Sequence, residues 1–355
     1  MEDYYNTLLE QLGGYTVMGL FNGKRDIKDI VTLQTGTKGR VFFFDQEPMI
    51  KSVDDDLWDY IFQEPTIFAN SELDSADKDY VKAKYPNFID WYFFSHGLVA
   101  REWFSAQRHN YAGWTDQNQT LLDCNLLEGS RGYRIYLIYL MHKDKYNLNS
   151  FISFKGSYPW KDSLKNNDCF NILENPSKFV DRIPTEDVSY DNWGKNNLLD
   201  NGLMQSRIPL EFYSRVNYIL VSETICTENK KHLTEKIFKP IVAGKPFLLA
   251  GGYKNLEYLK RYGFKTFSDY WNEDYDNILD PKERLDSIFE IIRQMDLYPI
   301  IDKEIEKKLE LFDSAHKDAM ENRKHFWSDD FYNLLLDEAV ENLNSAKKEL
   351  SSKYI

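Results

Sequence analysis

Short apolar runs alternate with amphipathic stretches along most of the chain. RVFFFDQEPM (40–49) predicts a buried strand that ends at Asp45 and turns at Pro48. TIFAN (66–70) and the aromatic NFIDWYFFSHG (87–97), closed by Gly97, predict two more strands, and VAREWFSAQRHN predicts a helix after them. YRIYLIYLMHKDKY (133–146) carries the long apolar stripe of a helix, and ISFKG (152–156) reads as a strand running into a glycine. Residues 157–207 show no sustained period; Asn, Pro and Gly interrupt them, as expected of a junction. YILVSET (218–224), a helix over 232–244, PFLLAGG, the short helix NLEYLKRYGF (255–264) closed by Gly263, and KTF then give a β-α-β-α-β order. ERLDSIFEIIRQMDLY (283–298) is amphipathic, and 301–350 reads as a helical tail broken near FWSDD.

This alternation predicts an α/β protein of two Rossmann-like domains facing each other across a cleft. The expected divisions are 1–156, a junction at 157–207, a second α/β domain at 208–300 and a helical tail at 301–355. In such sheets ligands bind beyond the carboxyl ends of the strands. The loops after FFF, FISF, YILV, FLLA and KTF therefore become the places to search for chemistry.

Composition narrows the class. The length of 355 residues favours two domains over one. A net charge of −13 disfavours a protein that tracks a nucleic-acid backbone, leaving nucleic acid a possible but unfavoured partner. The three cysteines, Cys124, Cys169 and Cys226, are far apart and match neither a disulfide framework nor a metal spacing, which suits a reducing, cytoplasmic setting. The first residues lack a signal-peptide pattern, and no apolar run is long enough for a membrane span.

The stretch HLTEKIFKPIVAGKPFLLAGG (232–252) holds the sharpest puzzle. Thr234 is placed to cap the helix and Glu235 suits the positive end of its dipole, but Lys236 opposes that dipole. Pro240 removes the donor to the Lys236 carbonyl, so the first turn is expected to open and expose backbone N–H groups. A nucleoside diphosphate here would resolve the puzzle: Lys236 and the N–H groups would meet phosphate, and Glu235 both ribose hydroxyls. The plainer reading is a solvated Glu-Lys surface pair. There is no GxGxxG with a distant acid and no GxxxxGK[ST], which weakens a dinucleotide oxidoreductase or a P-loop enzyme.

SETICTENKKHLTEKIFKPIVAGKPFLLAGG (222–252) resembles the nucleotide-sugar-binding segment of α1,3-fucosyltransferase-like enzymes of the GT-B class. It is similar also to viral and bacterial glycosyltransferase-like proteins with a TEK-F-KP-G-PF pattern followed by GFKTF. The resemblance implies a donor-binding domain at 208–300 and an acceptor-side domain at 1–156. It implies that Glu235 and Lys236 meet donor ribose and diphosphate, with Thr234 beside them and Glu223 as an earlier acid. Lys239 and Pro240 depart from the ordinary fucosyltransferase segment and leave the sugar open. Arg131 and Arg134, three apart before an apolar helix, resemble that family's phosphate-contacting arginine segment and have the spacing to clamp a diphosphate. The plainer reading makes them surface arginines. Lys155 at the end of ISFKG is a further phosphate or acceptor contact. Glu273 and Asp276 in WNEDYDN are donor-side acids or loop-capping groups.

The implied activity is transfer of a sugar from a nucleoside-diphosphate sugar to a hydroxyl acceptor, a glycan by preference, with inversion. Such a reaction needs a carboxylate base and positive charge for the leaving diphosphate. Glu47 is the preferred base and Asp45 its neighbour, while Glu64, Glu72 and Glu102 are rivals; a capped turn without chemistry is the plainer reading. His96 reads as a structural histidine. Asp77-Lys78-Asp79 superficially resembles the acid pair of metal-dependent GT-A enzymes but reads better as a solvated helix face. No metal and no cofactor beyond the donor is expected. A retaining or DNA-base-modifying transferase and a non-catalytic nucleotide-sugar binder stay open as alternatives.

Overall fold

The computed structural model describes residues 2–21, 24, 26–44, 50, 53–113, 120–123, 133, 134, 136, 137, 140, 150–152, 154, 155, 187, 188, 208, 210–226, 229–297 and 302–353. It is mixed α/β, with two mainly parallel sheets in two compact units. The first unit comprises Met1–Trp103, Lys230–His232 and Ser328–Ile355; the second comprises Phe104–Asn229 and Leu233–Trp327.

In the first unit, β1 (Thr16–Leu20), β2 (Val31–Gln34), β3 (Arg40–Phe44), β4 (Thr66–Asn70) and β5 (Phe88–Tyr92) form a sheet in the order β2-β1-β3-β4-β5. All neighbours are parallel except β2 with β1. One face is aromatic: Phe42, Phe68 and Phe88 pack with Trp58 and Phe62 from the Asp55–Ile61 helix and its C-terminal cap. The opposite face is covered by the Asp329–Lys353 helix. Its residues Phe331, Leu335, Ala339, Leu343, Ala346 and Leu350 recur every three or four positions and are buried, the stripe that a helix lays on a core. The Trp91 indole N–H donates to the Ala339 carbonyl at 2.9 Å.

The second unit holds a fully parallel four-stranded sheet, β11-β10-β6-β7, from β6 (Thr120–Asp123), β7 (Ser150–Ile152), β10 (Tyr218–Ser222) and β11 (Phe247–Ala250). β10 and β11 are buried along their whole length, which is why YILVS and FLLA are continuous apolar runs rather than alternating ones. A two-stranded antiparallel ribbon, β8 (Phe154–Lys155) with β9 (Asp187–Val188), belongs to the same unit. The Glu235–Ala243 helix links β10 to β11 and packs against the Asp302–Phe326 helix, where the Phe238 and Phe326 rings lie 5.2 Å apart. Gly244 ends the helix in the left-handed region (φ 69°), where a side chain would be strained.

Several sequence expectations change. ISFKG is two strands in two sheets, since Ser150–Ile152 pairs with β6 and Phe154–Lys155 with β9. KTF is not a strand: Gly263 closes the Asn255–Arg261 helix (φ 84°) and irregular backbone follows. The second sheet therefore takes its remaining strands from residues 120–152, and the first segments of the two compact units meet at Trp103/Phe104. The helical tail is likewise shared, Asp302–Phe326 lying in the second unit and Asp329–Lys353 in the first. A parallel strand needs another strand beside it more than it needs sequence proximity, so distant segments complete each sheet. Among the described residues no helix is long and apolar enough to cross a membrane.

Candidate functional site

Where β10 ends, the chain emerges between two neighbouring parallel strands, and its next side chain is Glu223. Glu223 has no exposed surface. One carboxylate oxygen accepts from the Thr234 hydroxyl (2.6 Å) and from the backbone N–H groups of Thr234 (3.2 Å) and Thr224 (3.1 Å); the other accepts from the Ile237 N–H (3.2 Å). Burial pushes this carboxyl above the ordinary glutamate value, and the Lys236 ammonium and the Thr234 hydroxyl oppose that push.

Thr234 caps the Glu235–Ala243 helix as its sequence implied, accepting from the Lys236 N–H at 3.4 Å. The first turn does not open at Pro240. The helix is continuous, and the N–H groups of Lys236 and Ile237 are taken by Thr234 and Glu223. The anion position that a helix start offers is therefore filled by the protein's own carboxylate. This answers part of the Lys236 puzzle, because Glu223 is the anion beside it.

Glu235 and Lys236 are not a solvated pair. They are 6% and 8% exposed, and their side chains meet at 2.7 Å. The Lys236 ammonium also reaches the hydroxyls of Thr224 (3.1 Å) and Thr234 (3.4 Å), so its three hydrogens each face an acceptor. Any phosphate oxygen that Lys236 holds must replace one of these contacts.

Arg134 is buried beside this cluster, and the hydrogen bonds described for it run to the end of β10. Its guanidinium donates to the carbonyls of Ser222 (3.4 Å) and Glu223 (3.2 Å) and to the Tyr133 hydroxyl (3.1 Å), while that hydroxyl donates to the Glu223 carbonyl. Arg134 thus helps to fix the end of β10. Arg131, Asp45 and Glu47 lie outside the described residues, and Lys155 is described only as backbone of β8.

Glu273 and Asp276 hold backbone. Glu273 accepts from the Phe267 N–H at 2.7 Å. Asp276 accepts from the N–H groups of Leu256 (3.0 Å) and Glu257 (3.1 Å), capping the Asn255–Arg261 helix that precedes it in sequence rather than the one that follows. Burial raises both carboxyls, and those N–H bonds pull the other way.

Sequence reasoning missed Arg284. It is buried, and its guanidinium donates to the carbonyls of Gly251 (3.1 Å), Leu279 (3.3 Å), Ile278 and Cys226, tying together the loops after β10 and β11. The signal was present: Arg284 shares the apolar stripe of its helix with Ile288 and Ile292.

The rival carboxylates separate clearly in the first unit. Glu64 and Glu102 are exposed. Glu72 is fully buried and binds Lys230 at 3.1 Å, the Ser75 hydroxyl and the Ile50 N–H (3.2 Å). Asp77 also pairs with Lys230 (3.1 Å) and Lys78 with Asp90 (2.9 Å), so the Asp77-Lys78-Asp79 triplet contributes structural ion pairs rather than a solvated face. His96 is buried near the start of the Ser95–Trp103 helix, edge-on to His232 with ring centroids 5.2 Å apart. Among the described residues no group of His, Cys, Asp and Glu is arranged to hold a metal. No protein-family model matches the chain and no curated protein matches it, so the chemistry of the site must be argued from its own geometry.

Proposed function

We propose that this protein is a glycosyltransferase that moves a sugar from a nucleoside-diphosphate sugar to a hydroxyl acceptor, with a GT-B-like division of labour between its two α/β units. The observation that carries this reading is the buried cluster of Glu223, Thr224, Thr234, Glu235 and Lys236 at the carboxyl end of β10. Parallel α/β sheets bind ligands at that end. A carboxylate and an ammonium held side by side there match the two chemistries of a nucleotide, vicinal hydroxyls and phosphate.

In this reading Glu235 accepts from the ribose hydroxyls, and Lys236 exchanges a threonine contact for a phosphate oxygen. The acceptor hydroxyl loses its proton to a carboxylate of the first unit, Glu47 or its neighbour Asp45, and attacks the anomeric carbon as the bond to the diphosphate breaks. Charge grows on the departing diphosphate, and Lys236 stabilises it more in the transition state than in the ground state. Inversion follows from a single displacement, and a glycan hydroxyl is the favoured acceptor.

Calorimetric titration of the full chain with GDP, UDP, ADP and CDP tests the donor site, and product release from matched sugar donors tests transfer. Saturable binding of one nucleoside diphosphate, weakened in Glu235→Gln more for the ribonucleotide than for its deoxy analogue, is expected. Absence of binding at millimolar ligand removes the reading. Binding with neither transfer nor donor hydrolysis reduces the protein to a nucleotide-sugar binder.

A further inference from the structure

We propose that Lys239 is a second phosphate-binding cation of the donor site, taking the phosphate that Lys236 does not hold; this rests on the donor-site reading above. Lys239 is 4% exposed. Among the described residues its ammonium makes no hydrogen bond and no ion pair. The other buried cations among the described residues of the unit are all engaged. Lys236 has Glu235 and two threonines, Lys245 has the carbonyls of Gly113 and Val216, and Arg134 and Arg284 have carbonyls.

Position directs that spare capacity toward the cluster. Lys239 follows Lys236 by three residues and Glu235 by four, so all three share a helix face. Helical side chains lean toward the N-terminus, the direction in which that pair lies from Lys239. Glu235 four residues before a lysine is the usual ion-pair spacing, yet Glu235 meets Lys236 instead.

Charge gives the second reason. The carboxylates Glu223 and Glu235 balance Arg134 and Lys236, leaving a cluster with no net attraction for an anion. Lys239 adds the positive charge that a diphosphate needs. The helix amides cannot supply it, because Thr234 and Glu223 already hold those of Lys236 and Ile237. An arriving phosphate would gain an ammonium that gives up no protein partner to meet it.

The experiment compares wild type, Lys239→Met and Lys239→Arg by calorimetric titration with inorganic pyrophosphate, with GDP, UDP and ADP, and with the parent nucleosides. Lys239→Met is expected to weaken pyrophosphate and the bound nucleoside diphosphate about tenfold or more, the scale of one charge-assisted hydrogen bond. It should leave the nucleoside within about twofold and the melting temperature equal or higher, and Lys239→Arg should recover most of the affinity. Diphosphate affinity unchanged in Lys239→Met, or weakened no more than the nucleoside, overturns the proposal. If wild type binds pyrophosphate through Lys239 but no nucleotide, the donor-site reading fails while the cation site stands. If wild type binds neither, both fall.

Discussion

Two buried lysine–carboxylate pairs, one in each unit, show how differently the same chemistry can be used. In the first unit Lys230 and Glu72 are 158 positions apart, and the surrounding hydrogen bonds come from Ser75, the Ile50 N–H and Asp77. In the second, Glu235 and Lys236 are sequence neighbours whose other contacts include two threonine hydroxyls at a helix start. The distant pair joins remote segments of chain, and any rearrangement would strand a charge in the core. The local pair is made between sequence neighbours, and from it Lys236 reaches the Thr224 hydroxyl just beyond β10. Its burial calls for another explanation, and a ligand provides one. A buried ion pair is thus informative about function only after asking what it connects.

The largest expected effect breaks the distant pair. Lys230→Met should destabilise the protein by about 3 to 5 kcal/mol, because Glu72 is left buried without its cation. Denaturant unfolding measures this, and a loss below about 1 kcal/mol would make the two pairs alike. Glu223→Ala should come next, at about 2 to 3 kcal/mol, since several buried donors lose one acceptor together. Its partial replacement, Glu223→Gln, should recover part of that loss by the same measurement.

Lys236→Ala and Asp276→Ala sharpen the contrast between binding and capping. Lys236→Ala should weaken the bound nucleoside diphosphate about tenfold, as expected for one charge-assisted contact. Asp276→Ala should cost about 1 kcal/mol of stability, the usual value of a lost cap, with affinity unchanged. Titration and denaturant unfolding on the same samples separate the two.

The smallest effect concerns Lys245, which donates to carbonyls and has burial pushing its amine down to about 8. Its folded value lies below the unfolded one, so the folded protein releases this proton first and stability rises with pH from about 8 toward the ordinary lysine range. Between pH 7.5 and 8.5 the gain should be about 0.5 kcal/mol. Lys245→Met should lack it when unfolding is followed at both pH values.

The local features of the site were legible because local rules govern them. Thr234 at the cap, Gly244 in the left-handed turn and Pro246 as a stop follow from backbone preferences acting over a few residues. The strands YILVS and FLLA announced themselves by continuous apolar sequence. What pattern could not supply was the partner of each polar group. Nothing near Asp276 in sequence shows that it caps a helix some twenty residues earlier, and nothing in TENKKHLTEK shows that Lys230–His232 belongs to the other unit. The opening expected at Pro240 leaves out Glu223, whose carboxylate reaches forward across eleven residues to hold that turn shut. KTF offers only three residues, too few for apolar character to outweigh the loop that follows Gly263.

The Asp329–Lys353 helix has a consequence for biosynthesis. The first unit contains most of the first hundred residues, yet this helix covers one face of its sheet, with Trp91 bonded to Ala339 and Leu335 packed against Gly97. A ribosome makes that sheet before its cover. Until the Asp329–Lys353 helix leaves the exit tunnel, Trp91 and its neighbours lack the surface they are built to meet. The second unit lies almost wholly between these two pieces and has its own parallel sheet, so it is synthesised whole before the first can close. Vectorial folding therefore runs from the middle of the gene outward, and chains stalled near residue 328 should be the ones that engage chaperones most strongly.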